Sequence, residues 1–105
     1  MNQVTNTQYG LSTETITAIQ KILKKHPKVN KAILYGSRAK GNYKPASDID
    51  LTLQGEQLDY TELVAIDNEL DDLLLPYTID LSLYHHIENP DLIAHIERVG
   101  KEFYY

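Results

Sequence analysis

The sequence predicts an α/β domain in which helices flank a small mixed sheet, in the order helix, strand, turn, strand, helix, strand, helix. Three observations predict it. Segments with aliphatic residues at helical spacing alternate with short apolar runs. Two of those runs put aliphatics on one side and carboxylates or hydroxyls on the other. Glycine or proline separates most of the segments, so each period ends where the next begins.

Residues 1–11 are mostly polar and aperiodic, which predicts a flexible arm giving way to order near Leu11. Ser12 is a candidate helix cap, Glu14 suits the first turn, and Leu11 with Ile16 fits a hydrophobic staple across the cap. Ile16, Ile19, Ile22 and Leu23 share one face of that helix, and Lys24, Lys25 and Pro27 end it. Residues 31–35 are a short apolar run stopping at Gly36, as expected of a buried strand entering a tight turn. In a second strand over 47–53, Asp48, Asp50 and Thr52 alternate with Ile49, Leu51 and Leu53. Asp59 with Glu62 resembles a capping box for a helix over 60–75, with Leu63, Ile66, Leu70, Leu73 and Leu74 inward and Pro76 as its stop. A third strand over 77–84 places Ile79, Leu81 and Leu83 on one face and Thr78, Asp80 and Ser82 on the other. Asn89 and Pro90 form a favourable cap and first-turn pair for a last helix in which Leu92, Ile93, Ile96 and Val99 face the core, with Gly100 expected as a left-handed cap.

A chain of 105 residues suits one domain with a single core, here taken as 1–105. Its formal charge of −5 argues against a broad nucleic-acid-binding surface driven by phosphate neutralisation. With no cysteine there is neither a disulfide nor a thiolate zinc site, and the compartment leans cytoplasmic. No secretory signal and no apolar run of membrane-spanning length is visible.

The stretch L-Y-G-S-R-A-K-G-N-Y-K-P-A-S-D-I-D-L carries the chemistry. Gly36 and Gly41 have the glycine spacing of a phosphate loop, but Asn42 and Tyr43 stand where that motif needs Lys and Ser or Thr. The dinucleotide fingerprint is absent as well. What remains is a Gly-Ser turn after one strand and a D-x-D pair on the next. Gly36 lets backbone N–H groups come close to a phosphate, Ser37 adds a hydroxyl donor, and Arg38 and Lys40 are expected to supply positive charge. Asp48 and Asp50 are roughly 6.6 Å apart along one side of a strand. With Asp80 from the neighbouring strand they can hold two Mg²⁺ about 3.5–4 Å apart, the arrangement that clamps attacking and leaving oxygens at phosphorus. Asp80 is placed nearest the attacking oxygen, as metal ligand and candidate base.

Gly36-Ser37, ten intervening residues and then Asp48-Ile49-Asp50 resembles the signature of the DNA polymerase β type nucleotidyltransferase superfamily. More closely, G-S-R-A-K-G with S-D-I-D-L is similar to the minimal nucleotidyltransferases (MNT), the antitoxin components of HEPN/MNT toxin–antitoxin pairs. The resemblance implies ATP as substrate, a triphosphate cradled by Gly36 and Ser37, Mg²⁺ held by Asp48, Asp50 and Asp80, and transfer of AMP to a tyrosine of a cognate HEPN ribonuclease toxin. Two other functions fit the same residues: a small-molecule nucleotidyltransferase of the aminoglycoside-modifying kind, and an antitoxin that masks its toxin without catalysis.

Other features carry less. His85 and His86 are adjacent, point apart on an extended chain, and read as a loop or strand end rather than a metal site. His95 reads as a surface or half-buried residue of the last helix. The tail F-Y-Y suits either a partner-binding aromatic patch or closure of the core, and residues 42–46 read as a flexible loop over the nucleotide whose Lys44 is either a phosphate contact or a solvated charge.

Overall fold

The computed structural model describes residues 7–105. Among them the chain forms β1 (Thr7–Gln8), β2 (Leu11–Ser12), α1 (Thr13–Lys24), β3 (Lys31–Tyr35), α2 (Ser37–Lys40), β4 (Ile49–Gln54), α3 (Tyr60–Asp71), β5 (Ile79–Leu83), a short 3₁₀ turn (Tyr84–His86), α4 (Pro90–Val99) and β6 (Lys101–Tyr104). The main sheet has the order β5-β4-β3-β6. β3 is antiparallel to both β4 and β6, whereas β4 and β5 are parallel, so the sheet is mixed as expected. Parallel neighbours need a crossover, and α3 provides it.

Strand alternation divides the molecule in two. Ala32 and Leu34 of β3, Ile49, Leu51 and Leu53 of β4, Leu83 of β5 and Phe103 of β6 face α1 and α3 and join Ile19, Leu23, Ile66 and Leu70 in one core. The opposite face carries Ile33, Tyr35, Asp50, Thr52, Asp80 and Ser82, over part of which α4 lies. Of the four α4 aliphatics expected to be inward, Ile96 is buried, while Leu92, Ile93 and Val99 are half-buried.

Local chemistry explains most boundaries. Ser12 Oγ accepts the Thr15 amide at 3.1 Å, Asp59 Oδ1 accepts the Glu62 amide at 2.9 Å, and Asn89 Oδ1 accepts the Asp91 amide at 2.9 Å, so all three expected caps form. α3 stops at Asp71, short of the expected 75. Asp71 and Asp72 put negative charge at the negative end of the helix, and Leu74 leaves with φ of 54°. Gly100 is extended (φ −60°, ψ 143°) rather than left-handed because the chain passes straight into β6. Its glycine serves close approach instead: a Cβ there would lie 2.4 Å from the Ile96 carbonyl oxygen and 2.7 Å from Ile33.

Two segments differ from expectation. Residues 1–6 of the expected arm lie outside the described residues, but 7–12 form a hairpin whose Tyr9–Gly10 turn has positive φ at both positions (59° and 73°), the twist that a two-residue hairpin requires. Leu11 is fully buried. The tail forms edge strand β6 with Phe103 in the core, so it closes the core, and Tyr105 remains exposed.

A tie between α1 and α3 was not legible in sequence. The buried ring of His26 has Nδ1 2.6 Å from Glu62 Oε2 and Nε2 2.9 Å from Glu69 Oε2, two carboxylates two turns apart on α3. Lys25 adds a 2.9 Å pair to Glu69. The Lys25 hydrogen bond, then His26, holds the Glu69 carboxyl below its ordinary range. That contribution is therefore present above the ordinary glutamate range and lost as pH falls through the lowered value. Replacing His26 by alanine should lower the melting temperature at neutral pH by about 5 °C, roughly one net hydrogen bond. Thermal melts at pH 7 and pH 3 check it, the difference between the two proteins shrinking at the acid end.

Candidate active site

One end of the sheet gathers the expected site residues. β3 ends at Tyr35, and because β4 runs antiparallel to it, Tyr35 sits opposite Asp50. β5 runs parallel to β4 in register, so Asp50 sits opposite Asp80. The Ile49 amide donates to the Thr78 carbonyl at 2.9 Å and fixes that register at its start. Adjacent strands lie about 4.8 Å apart, which leaves the Asp50 and Asp80 carboxylates within side-chain reach of a common ligand. Asp48, just before the strand, is exposed, as is Asp80, while Asp50 is half-buried.

The Gly36–Ser37 turn closes on this row from the end of β3. Gly36 has φ of 77° and ψ of −157°, and a Cβ there would lie 2.3 Å from Asp50 Oδ2, so any side chain would displace the carboxylate. Ser37 opens the single turn of α2, which the Lys40 amide closes by donating to the Gly36 carbonyl at 3.0 Å. Asp50 is consequently crowded. Burial above all, then the charges of Asp80 and Asp48, push its carboxyl up from the ordinary range.

The donor set suits a hard divalent cation, because it is made of carboxylate oxygens whose mutual repulsion a cation would relieve. Among the described residues, however, no three His, Asp or Glu side chains already converge as a finished metal site. The backbone register brings Asp50 and Asp80 together, and Asp48 stands two residues before Asp50, just ahead of β4.

Arg38 corrects an expectation. Instead of offering a free cation to a nucleotide, its side chain is 1% exposed. Nε donates to the Ser47 carbonyl at 3.1 Å, Nη2 to the Ser47 and Pro45 carbonyls at 2.9 and 3.2 Å, and Nη1 to the Tyr9 carbonyl at 2.9 Å. The guanidinium carbon lies 5.3 Å from the Tyr43 ring centre and 4.8 Å from that of Tyr77. Arg38 thus stitches the hairpin and the loop before Asp48 to α2. Of the cations expected near the turn, Lys40 and Lys44 are the exposed ones. The loop itself is tightened by Ser47, whose amide donates to the Lys44 carbonyl at 3.0 Å and whose Oγ accepts the Lys44 amide at 2.8 Å.

Sequence reasoning missed two neighbours of the row. His95 of α4 accepts the Gly36 amide on Nε2 at 3.1 Å and meets the Tyr35 ring edge-on with centroids 6.1 Å apart. Tyr35 is buried beside Ser82, whose hydroxyl donates to Thr52 Oγ1 at 2.9 Å. Burial, with Asp80 and Asp50 nearby, raises the Tyr35 phenol above its ordinary range, so it stays neutral beneath the carboxylates. Period-two alternation could have found Tyr35, whereas nothing local marks His95. The 3₁₀ turn also brings His85 and His86 together, edge-on at 4.5 Å, where an extended chain would have parted them. A surface depression lined by Pro27, Lys28, Asn30, Glu56 and Gln57 lies at the other end of the sheet, away from the carboxylates. Among the described residues no helix is long and apolar enough to cross a membrane.

A mixed sheet that presents paired strand carboxylates under a Gly-Ser turn offers the parts that metal-assisted transfer at phosphorus uses. The family model described as "Polymerase beta, Nucleotidyltransferase" matches residues 17–105, and the chain belongs to that family. A Methanocaldococcus jannaschii protein named as a protein adenylyltransferase is 33% identical over 92 residues, which cover 80% of this chain and 93% of the relative. The fold matches a chain in the crystal structure of a toxin–antitoxin with AMP-PNP at a TM-score of 0.67 and 24% identity, over 84% of this chain and 71% of that one. It also matches a chain in the structure of the tri-AMPylated Shewanella oneidensis HEPN toxin in complex with MNT antitoxin, at a TM-score of 0.61 and 22% identity over 86% and 69%.

Proposed function

We propose that this nucleotidyltransferase moves AMP from ATP onto a tyrosine of a HEPN-type toxin in the cytoplasm and thereby silences it. The observation that carries the reading is the register that sets Asp50 opposite Asp80 with the Gly36 turn against Asp50. The relative named for protein adenylylation, and the AMPylated toxin in the Shewanella complex, support the choice of nucleotide and acceptor.

In this mechanism Ser37 and the backbone beside it receive the triphosphate, with Lys40 and Lys44 neutralising its outer charge. Asp48, Asp50 and Asp80 are the residues that would hold Mg²⁺. Once bound, the ion supplies charge neutralisation at phosphorus and alignment for in-line displacement. The acceptor's phenolic oxygen bonds to the α-phosphorus, the bond to the β-phosphate oxygen breaks, pyrophosphate leaves, and Asp80 takes the phenolic proton. Tyr35 and Ser82 keep the floor of the site neutral and fixed.

Labelling with radioactive ATP in the presence of the partner toxin tests the proposal. The wild type should label the toxin, and the double variant Asp48→Ala with Asp50→Ala should not. Equal labelling by both proteins would sink the reading, and toxin neutralisation that survives in the double variant would point to masking without catalysis.

A further inference from the structure

We infer that His95 is a positioning residue that holds the Gly36–Ser37 turn in register with Asp50, so that α4 sets nucleotide affinity without touching the nucleotide. The inference rests on the transfer reading above and adds a residue that the motif does not contain.

The Gly36 amide is the first N–H beyond the β3 ladder. Tyr35 is the last β3 residue paired with β4, and β6 reaches only Leu34. Such an amide needs an acceptor. His95 Nε2 supplies one at 3.1 Å, which puts the ring proton on Nδ1. On its other side Gly36 has no free space, because Asp50 Oδ2 fills the volume a Cβ would take. The turn is therefore gripped between Asp50 and His95. Its third restraint is Tyr35, against which the His95 ring rests edge-on. His95 is itself fixed by its neighbour Ile96, which is 2% exposed. Releasing the grip leaves the fold in place but lets the turn that carries Ser37 drift relative to the carboxylates. A displaced turn weakens the hold on the triphosphate more than it alters the chemistry once ATP is bound.

Two variants separate the acceptor from the ring. His95→Phe keeps the edge contact to Tyr35 and removes the lone pair, whereas His95→Gln keeps an acceptor and removes the ring. Binding of a fluorescent ATP analogue, KM and kcat for transfer, thermal melts and hydrogen exchange at the Gly36 amide are measured on the full chain. His95→Phe should weaken analogue binding and raise KM for ATP by about tenfold, the upper end for one oriented hydrogen bond. Its kcat at saturating ATP should change less than about threefold, and its Gly36 amide should exchange faster. His95→Gln should recover most of the affinity and the protection. Wild-type affinity in His95→Phe, or equal losses in the two variants, overturns the inference, as does rescue by Phe but not by Gln. Should the wild type bind no nucleotide, the transfer reading falls, and Gly36 exchange in the same variants still decides whether His95 grips the turn.

Discussion

Arg38→Met should lower the unfolding free energy by about 3–4 kcal/mol and remove nucleotidyl transfer with it. The loss has two sources. Methionine fills much of the space but leaves the carbonyls of Tyr9, Pro45 and Ser47 without donors. It also removes the cation between the Tyr43 and Tyr77 rings. Charge-assisted bonds of this kind are each worth about 1.5–3 kcal/mol, but bonds sharing one group do not add. Arg38→Lys should recover only part of the loss, because one ammonium cannot reach carbonyls that a planar fork spans. Activity should fall because the Pro45 and Ser47 carbonyls belong to the loop that leads into Asp48, a metal ligand in the proposed mechanism. Denaturant unfolding of the wild type and both variants checks the energetics. A Met variant as stable as the wild type but weaker in ATP binding would show Arg38 acting as a nucleotide contact.

The error over Arg38 shows where a motif stops being legible. In G-S-R-A-K-G the cation follows a phosphate-type turn, and charge alone places it at the phosphate. Successive residues of a helical turn, however, point about 100° apart. Ser37 and Arg38 therefore cannot share a direction, and Arg38 turns inward to carbonyls from two other segments. Those contacts join residues up to 29 positions apart, as the Tyr9 bond does, and the Gly36–His95 bond spans 59. Neither leaves a local signature. Periods of 2 and 3.6 were readable because they depend only on neighbours, which is why β3, the start of α3 and all of α4 fall where the spacing predicts. β1 and β2, at two residues each, are too short to show a period. β6 opens with two charged residues that an exposed edge strand tolerates, and this hid it. The carboxylate row was half legible: alternation put Asp50 and Asp80 on strand faces, but only the parallel register set them side by side.

Asp50→Asn is expected to move function and stability in opposite directions. Asp50 carries a carboxyl raised mainly by burial and then by Asp80 and Asp48. A raised folded-state value means that the proton favours the folded protein. The ionised group is thus a cost at neutral pH, and the cost disappears as pH falls through the raised value. Asparagine has nearly the same shape and no charge, so in EDTA at pH 7 the variant should melt higher than the wild type. Solvent screening at a half-buried site limits the gain to about 0.5 kcal/mol, or about 2–4 °C. On acidification toward the ordinary aspartate range the two curves should meet, because the wild type then carries the proton that the variant mimics. Mg²⁺ should reverse the order: added to the wild type it raises the melting temperature by linkage, and added to the variant it does so much less. Transfer should fall by at least about a hundredfold, beyond the usual loss for disturbing a group that merely supports a metal ligand. A variant that melts lower than the wild type in EDTA would instead make Asp50 a structural hydrogen-bond acceptor. The expected crossing of the two melting curves with Mg²⁺ would tie the crowding seen among these carboxylates to the cation of the proposed mechanism.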